Sequence, residues 1–302
     1  MPGRTVWVTG AAGLIGTELV RQAAASVPGW RVLGLTRADL DLTHSAAVTA
    51  RFRSEPPDWI LHCAGLTKSP QCQVEPELAW TLNVEVTRQL SELAASARLL
   101  FFSTDLVFDG RAGGYREADA VNPLNRYGET KAVAERVVLD GPRHLVVRTS
   151  LNYGSSRTGD RTFNEETVRL WRERRPMTLF TDEYRCPIPA VSTARAVWDL
   201  VTAVERGDAR LPEPGADPTR RLFHVAGAEK LSRWELGRAL AERWPELQPE
   251  LRPGSLKDYV GGPRPADTSL VCDRVQAVLD WSLPRFSEWL RAQPREPERE
   301  GG

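Results

Sequence analysis

Through the first half of the chain, short β-branched and aromatic runs alternate with longer amphipathic ones. Thr5–Thr9 (TVWVT) is a strand pattern stopped by glycine, and 14–25 reads as a helix. The alternation continues with strand 31–35, helix 45–53, strand 59–63, helix 77–95, strand 99–103, helix 126–139 and strand 144–148. Strands that alternate with helices imply right-handed βαβ units and a parallel sheet. The expectation for residues 1–150 is therefore a doubly wound α/β domain. After Ser150 the rhythm loosens into a polar loop at 153–161, a helix ending at Arg175, strand 177–180 and a segment flanked by Pro187 and Pro189. A helix over 193–206, a Gly/Pro/Asp linker over 207–219, strand 222–225 and helix 232–243 follow, the last with Ser232 at N-cap and Glu235 at N3. This pattern predicts a smaller C-terminal α/β lobe over 151–293, with parts of 190–225 rejoining the first domain. The almost apolar-free stretch 294–302 reads as a disordered tail.

Composition narrows the function classes. The chain has 302 residues, 41% hydrophobic and 26% charged, with 40 basic against 40 acidic side chains. A zero net charge gives no global field toward nucleic acid or an anionic membrane, so neither is an expected partner. No apolar run approaches the roughly 20 residues of a spanning helix, and Met1-Pro2-Gly3-Arg4 leads straight into a strand without a signal-peptide pattern. A soluble cytoplasmic protein is expected. Cys63, Cys72, Cys186 and Cys272 have no CxxC spacing, and His44, His62, His144 and His224 are scattered, so neither disulfides nor a metal site is expected.

Two motifs carry chemistry. Gly10-Ala-Ala-Gly13-Leu14-Ile15-Gly16 lies where the first strand turns into the first helix. Gly10 would allow the tight turn, Gly13 would let backbone N–H groups approach a pyrophosphate, and Gly16 would let helix pack close to strand. The glycines alone could serve only the turn. The second motif is Tyr127-Gly-Glu-Thr-Lys131, on the helix after the fourth strand. Tyr and Lys at i and i+4 share a helix face, so the ammonium can sit beside the phenol and lower its pKa toward neutrality. By itself the pair could equally be a surface Tyr and Lys.

Together, in order and on the expected elements, these motifs resemble the extended branch of the short-chain dehydrogenase/reductase superfamily. Three further segments make the chain similar to the dTDP-4-dehydrorhamnose reductase family: Phe102-Ser-Thr-Asp-Leu-Val-Phe-Asp-Gly110, Asp182-Glu-Tyr-Arg-Cys-Pro-Ile188 and Arg264-Pro-Ala-Asp-Thr-Ser-Leu270. The resemblance runs from about Thr5 to Leu290. It implies a Rossmann fold and an NAD(P)H-dependent reduction of the 4-keto group of a dTDP-4-keto-6-deoxysugar. Tyr127 would be the general acid, Lys131 would hold the nicotinamide ribose and tune Tyr127, Thr104 would hydrogen-bond the carbonyl, and Asn83 would support the lysine through water. Two positions depart from the family pattern: the tyrosine of its STDYVF segment is Leu106 here, and its Ala-Ala pair reads Ala64-Gly65.

At the end of the second strand stands Arg37 in place of an acidic residue, and a guanidinium suits a 2′-phosphate, which favours NADPH. If Arg37 only stacks on the adenine, NADH serves as well. Asp41-Leu42 resembles the family's adenine contact, and Cys63-Ala64-Gly65 would line the cofactor. Arg185 and Arg264, in the segments that resemble the nucleotide-sugar site, are candidates for the substrate diphosphate. Extended members of the superfamily are often dimers, so a homodimer is compatible with the resemblance. Two other readings stand beside the reductase: a non-catalytic partner like the methionine adenosyltransferase β subunit, and a nucleotide-sugar epimerase or dehydratase with bound NAD.

Overall fold

The computed structural model describes residues 3–215 and 217–294. In chain order the first half runs β1 (Thr5–Thr9), α1 (Leu14–Ser26), β2 (Arg31–Leu35), α2 (Ser45–Ser54), β3 (Trp59–His62), α3 (Ser69–Val74), α4 (Pro76–Trp80), α5 (Val86–Leu93), β4 (Arg98–Thr104), α6 (Arg126–Asp140) and β5 (Leu145–Thr149). The second half runs β6 (Asn152–Tyr153), α7 (Phe163–Arg172), β7 (Met177–Phe180), β8 (Tyr184–Arg185), β9 (Ile188–Pro189), α8 (Ala190–Glu205), β10 (Leu222–Val225), β11 (Leu231–Ser232), α9 (Arg233–Arg243), β12 (Leu251–Gly254), α10 (Asp273–Gln276) and α11 (Phe286–Ala292).

Six strands form one parallel sheet in the order β10-β5-β4-β3-β1-β2. Side chains alternate between its faces with the period of two that a strand imposes. Val6, Val8, Trp59, Leu61, Leu100 and Phe102 pack on one side against α1 and α8, whereas Trp7, Ile60, Leu99, Phe101 and Val146 pack on the other against α2, α5 and α6. With both faces covered, β3, β5 and β10 are buried along their whole length, which explains their near-continuous apolar sequences. The chain leaves β1 toward β2 on one side and reaches β3 on the other. That reversal is the topological switch point, and the crevice beyond the strands' carboxyl ends is where such sheets bind ligands.

From the second half, α8 and β10 join this sheet: β10 pairs with β5, and the Trp198 indole of α8 donates to the Leu19 carbonyl of α1 at 3.0 Å. The other C-terminal elements surround a separate core of Tyr153, Val168, Trp171, Leu236, Leu240, Trp244, Phe286 and Leu290, with β7 and β12 paired in parallel. Ser232 and Glu235 close the expected capping box on α9, and Thr162 and Glu165 close a second one on α7. Apart from Pro294, the expected tail lies outside the described residues.

The helix expected over 77–95 is broken into α4, a π-helical turn at Thr81–Glu85, and α5. The wider turn is a common device at functional sites, and here it carries Asn83. Trp80, at the end of α4, stays 43% exposed and donates from its indole to Glu85 at 2.8 Å.

Candidate active site

Gly10 adopts φ +67°, and a Cβ on it would meet the Ala64 backbone nitrogen at 2.8 Å. Gly13 is the N-cap of α1, and its N–H closes the turn on the Gly10 carbonyl at 2.8 Å. Gly16 faces that same carbonyl so closely that any side chain would overlap it. Leu14 and Ile15 open α1 above this turn. The glycines at 10, 13 and 16 thus shape a tight turn into the N-terminus of α1, where free N–H groups can meet a pyrophosphate.

Next to it, the chain leaving β3 contributes Cys63, Ala64 and Gly65, held to β1 by the Ala64 N–H donating to Thr9 Oγ1 at 3.3 Å. His62 is buried between Thr9 (2.7 Å) and Thr87 (3.1 Å), where burial and the nearby Lys131 charge hold its pKa down to about 3. Gly65 has a packing reason too, because a Cβ there would meet Asn83 Oδ1 at 2.7 Å. Asn83 is fully used: its Oδ1 accepts from Leu66 N (2.8 Å), and its Nδ2 donates to the Leu66 carbonyl and Thr130 Oγ1, both at 3.0 Å. It ties the loop after β3 to α6 one residue from Lys131.

At the far side of the switch point, Arg37 is 87% exposed and its Nε donates to Asp41 at 3.3 Å. Asp41 also accepts from the Thr43 hydroxyl and backbone, and these hydrogen bonds bring its pKa down to about 2. Leu42 packs on the α2 side of the sheet.

Thr104 ends β4 and Tyr127 and Lys131 lie on α6, whose start is fixed by Asn125 Oδ1 accepting from Gly128 N at 2.9 Å. Thr104 Oγ1 lies 3.2 Å from Asp105 Oδ1 and accepts from Leu106 N at 3.2 Å. Tyr127 is 8% exposed, in an apolar cluster with Leu66, Cys72, Ala79 and Leu106. Burial raises its pKa above the ordinary phenol value, and the hydrogen bond with Thr104 opposes that only in part. The expectation of a phenol lowered by Lys131 is thus not met. Desolvation dominates, and the Lys131 ammonium stands 3.9 Å from the centre of the Phe101 ring. Burial lowers Lys131 itself to about 7, with the Glu135 charge working in the opposite sense.

Sequence reasoning missed the acidic groups that organise the second lobe. Asp105 accepts from Ser150 (2.7 Å) and Thr268 (2.9 Å), and Arg185 Nε lies 3.7 Å away. Glu183, with no exposed surface, pairs with Arg185 (3.2 Å), Arg233 (2.9 Å) and Arg264 (2.8 Å). Burial alone would raise its pKa, but the three guanidinium groups outweigh burial and hold it at about 2. Arg185 is therefore consumed by internal partners, Thr268 included, and turns no free edge outward. Arg264 is one-third exposed, lies against both the Phe180 and Tyr259 rings, and gives Glu183 its Nε and Nη2 edge. The motifs around Glu183 and Thr268 were visible in the sequence, but nothing local marks which charges they neutralise.

The model for the RmlD substrate binding domain matches residues 4–295. This chain belongs to that family. Among its relatives is the methionine adenosyltransferase 2 subunit beta of Xenopus tropicalis, 29% identical over 293 residues covering 92% of this chain and 83% of that protein. The dTDP-4-dehydrorhamnose reductase of Sinorhizobium fredii is 29% identical over 292 residues, 94% of each chain. A crystal structure of the Bacillus anthracis dTDP-4-dehydrorhamnose reductase in complex with NADP shares the fold at TM-score 0.83, with 23% identity and coverage of 96% of this chain and 98% of that one. No helix among the described residues is long and apolar enough to cross a membrane.

Proposed function

We propose that the protein is an NADPH-dependent reductase of the 4-keto group of a dTDP-4-keto-6-deoxysugar or a close analogue. The observation that carries this reading is the placement of Thr104 at the carboxyl end of β4 and of Tyr127 and Lys131 on α6, on the same carboxyl edge of the sheet as the glycine turn that opens α1. Identity alone does not separate the reductase from the methionine adenosyltransferase β subunit, since both kinds of relative reach 29%. The intact Thr104, Tyr127 and Lys131 set favours the enzyme, since these are the residue types that the reduction needs.

The glycine turn fits a dinucleotide, whose pyrophosphate would take the α1 N-terminus, and the family resemblance supports that fit. Bound nicotinamide supplies the hydride that reduces the carbonyl carbon. Tyr127 gives its phenolic proton to the carbonyl oxygen, and Thr104 turns its hydroxyl toward that oxygen and orients it. Lys131, with no hydrogen bond to another side chain among the described residues, offers its donors to the ribose hydroxyls and stabilises the phenolate left on Tyr127. Its proton affinity near 7 lets it exchange that proton at neutral pH. Four unpaired cysteines are in keeping with the reducing cytoplasm. The test is NADPH oxidation by the purified protein with a dTDP-4-keto-6-deoxysugar; binding of NADPH without oxidation supports the partner reading.

Arg37, exposed at the end of β2, is the group we assign to the cofactor's 2′-phosphate. Arg37→Ala weakens NADPH by about 10- to 100-fold and leaves NADH nearly unchanged, because only the former loses a charge-assisted bond of about 1.5–3 kcal/mol. Equal losses in titrations with the two cofactors would make Arg37 a stacking residue. For the sugar diphosphate the structure favours Arg264 over Arg185. Arg264→Lys raises KM for the nucleotide sugar and leaves NADPH affinity unchanged, since lysine keeps the charge but cannot clamp Glu183 and a phosphate with two edges. Steady-state kinetics on that variant decide the point, an unchanged KM assigning Arg264 to the Glu183 cluster alone.

A further inference from the structure

Lys131 has a potential partner that it does not use. Glu135 lies at i+4 on α6, the spacing at which lysine and glutamate commonly pair, yet no ion pair joins them among the described residues. Both carboxylate oxygens are taken by Arg148 of β5: Nε donates to Oε1 at 2.8 Å and Nη2 to Oε2 at 2.7 Å. Arg148 is in turn fixed by the Phe108 ring at 4.9 Å and by His224 of β10 at 3.5 Å. Both members of the pair are only 4% exposed at the side chain.

The other groups facing Lys131 carry no charge at neutral pH. Tyr127 on the same helix and Cys63 after β3 are pushed up by burial, as is Cys72 on α3, while His62 on β3 is held neutral; β4 offers only the Phe101 ring. Asp105, on the turn after β4, is engaged by Ser150, Thr268 and Arg185, which leaves Glu135, clamped by Arg148, as the carboxylate whose charge acts on this ammonium among the described residues. A bidentate clamp on it has a consequence that a simple structural pair would not. The carboxylate stays in place as a counter-charge but cannot swing up one helical turn to capture the lysine.

We infer that Glu135 and Arg148 form a positioning pair for Lys131, in which Arg148 holds the carboxylate as a fixed counter-charge below the lysine and leaves the lysine's donors available to the cofactor ribose. The inference rests on the dinucleotide reading for its last step only. Its first step concerns the lysine itself.

The test uses the full-length protein and two variants. In Arg148→Met the carboxylate is released, Lys131 pairs with it directly, and its titration moves up by at least half a pH unit, about threefold in proton affinity. NADPH binding then weakens by about tenfold, because the ammonium is diverted. In the paired replacement Glu135→Leu with Arg148→Met both charges leave together, a change that buried pairs often tolerate, and the Lys131 titration moves down by a similar amount. The readouts are the NMR titration of the Lys131 side chain in cofactor-free protein, assigned with Lys131→Arg, and NADPH affinity by fluorescence against pH. A purely structural pair would alter melting temperature and leave the titration where it is. Opposite shifts in the two variants support the inference, and an unmoved Lys131 titration in the folded paired variant overturns it. Should wild-type protein bind no NADPH, the functional reading fails while the lysine titration still decides the positioning role.

Discussion

Replacing Tyr127 with phenylalanine lowers turnover by about 10²–10⁴-fold while NADPH binds as before. The variant removes one oxygen from a side chain in an apolar cluster, so the surroundings of Leu66, Cys72, Ala79 and Leu106 keep their packing. Lys131 is held by Phe101 and the α6 backbone and does not depend on the phenol for its position. Only the proton donor is lost. The burial that raises the phenol's pKa also sharpens the effect, since few waters reach the site to replace it. Turnover within a few-fold of wild type would place the proton source elsewhere.

The second large effect falls on stability. Glu183→Gln leaves Arg185, Arg233 and Arg264 gathered around a neutral amide in a fully buried position, and breaking a buried ionic cluster in this way costs about 3–5 kcal/mol. Melting temperature falls by roughly 6–20 °C on that estimate. The pH dependence has a definite sign. The folded-state pKa of Glu183 is about 2, below its ordinary value, so its contribution is present above about pH 5 and is lost as pH falls toward 2. Wild type should therefore lose melting temperature through that acid window, with the glutamine variant lower at neutral pH and flatter below pH 5. A variant that melts within 2 °C of wild type, on a scale where 1 kcal/mol is worth roughly 2–4 °C, would mean the cluster relaxes by taking in water.

The parts of this protein that the sequence discloses are those fixed by local chemistry. A glycine at φ +67° and another pressed against a carbonyl leave a spacing that can be read directly, and β3, β5 and β10 are largely apolar because both sheet faces are covered. The Tyr127 and Lys131 pair is legible for the same reason, since helical periodicity puts both on one face. What they do to each other is not. Whether the ammonium lowers the phenol depends on burial and on Phe101, which come from β4 and the tertiary packing. The π-helical turn at Asn83 has no local mark in a run that reads as continuous helix, and it is the turn that lets Asn83 span Leu66 and Thr130. Arg185 and Arg264 look alike in the sequence. Only the fold decides that one is enclosed by Glu183, Asp105 and Thr268 while the other keeps an outward edge. Charge pairing between distant segments is the information a single sequence withholds.

Hydride transfer is the central claim, and isotope transfer tests it most directly. The protein is incubated with NADPH carrying deuterium at nicotinamide C4 and a dTDP-4-keto-6-deoxysugar, and the sugar product is examined by NMR and mass spectrometry. The account predicts one deuterium at C4 of a newly formed alcohol, in step with NADPH oxidation, and its loss in Tyr127→Phe. NADPH that binds yet is not consumed, with the ketone recovered unlabelled, would contradict it.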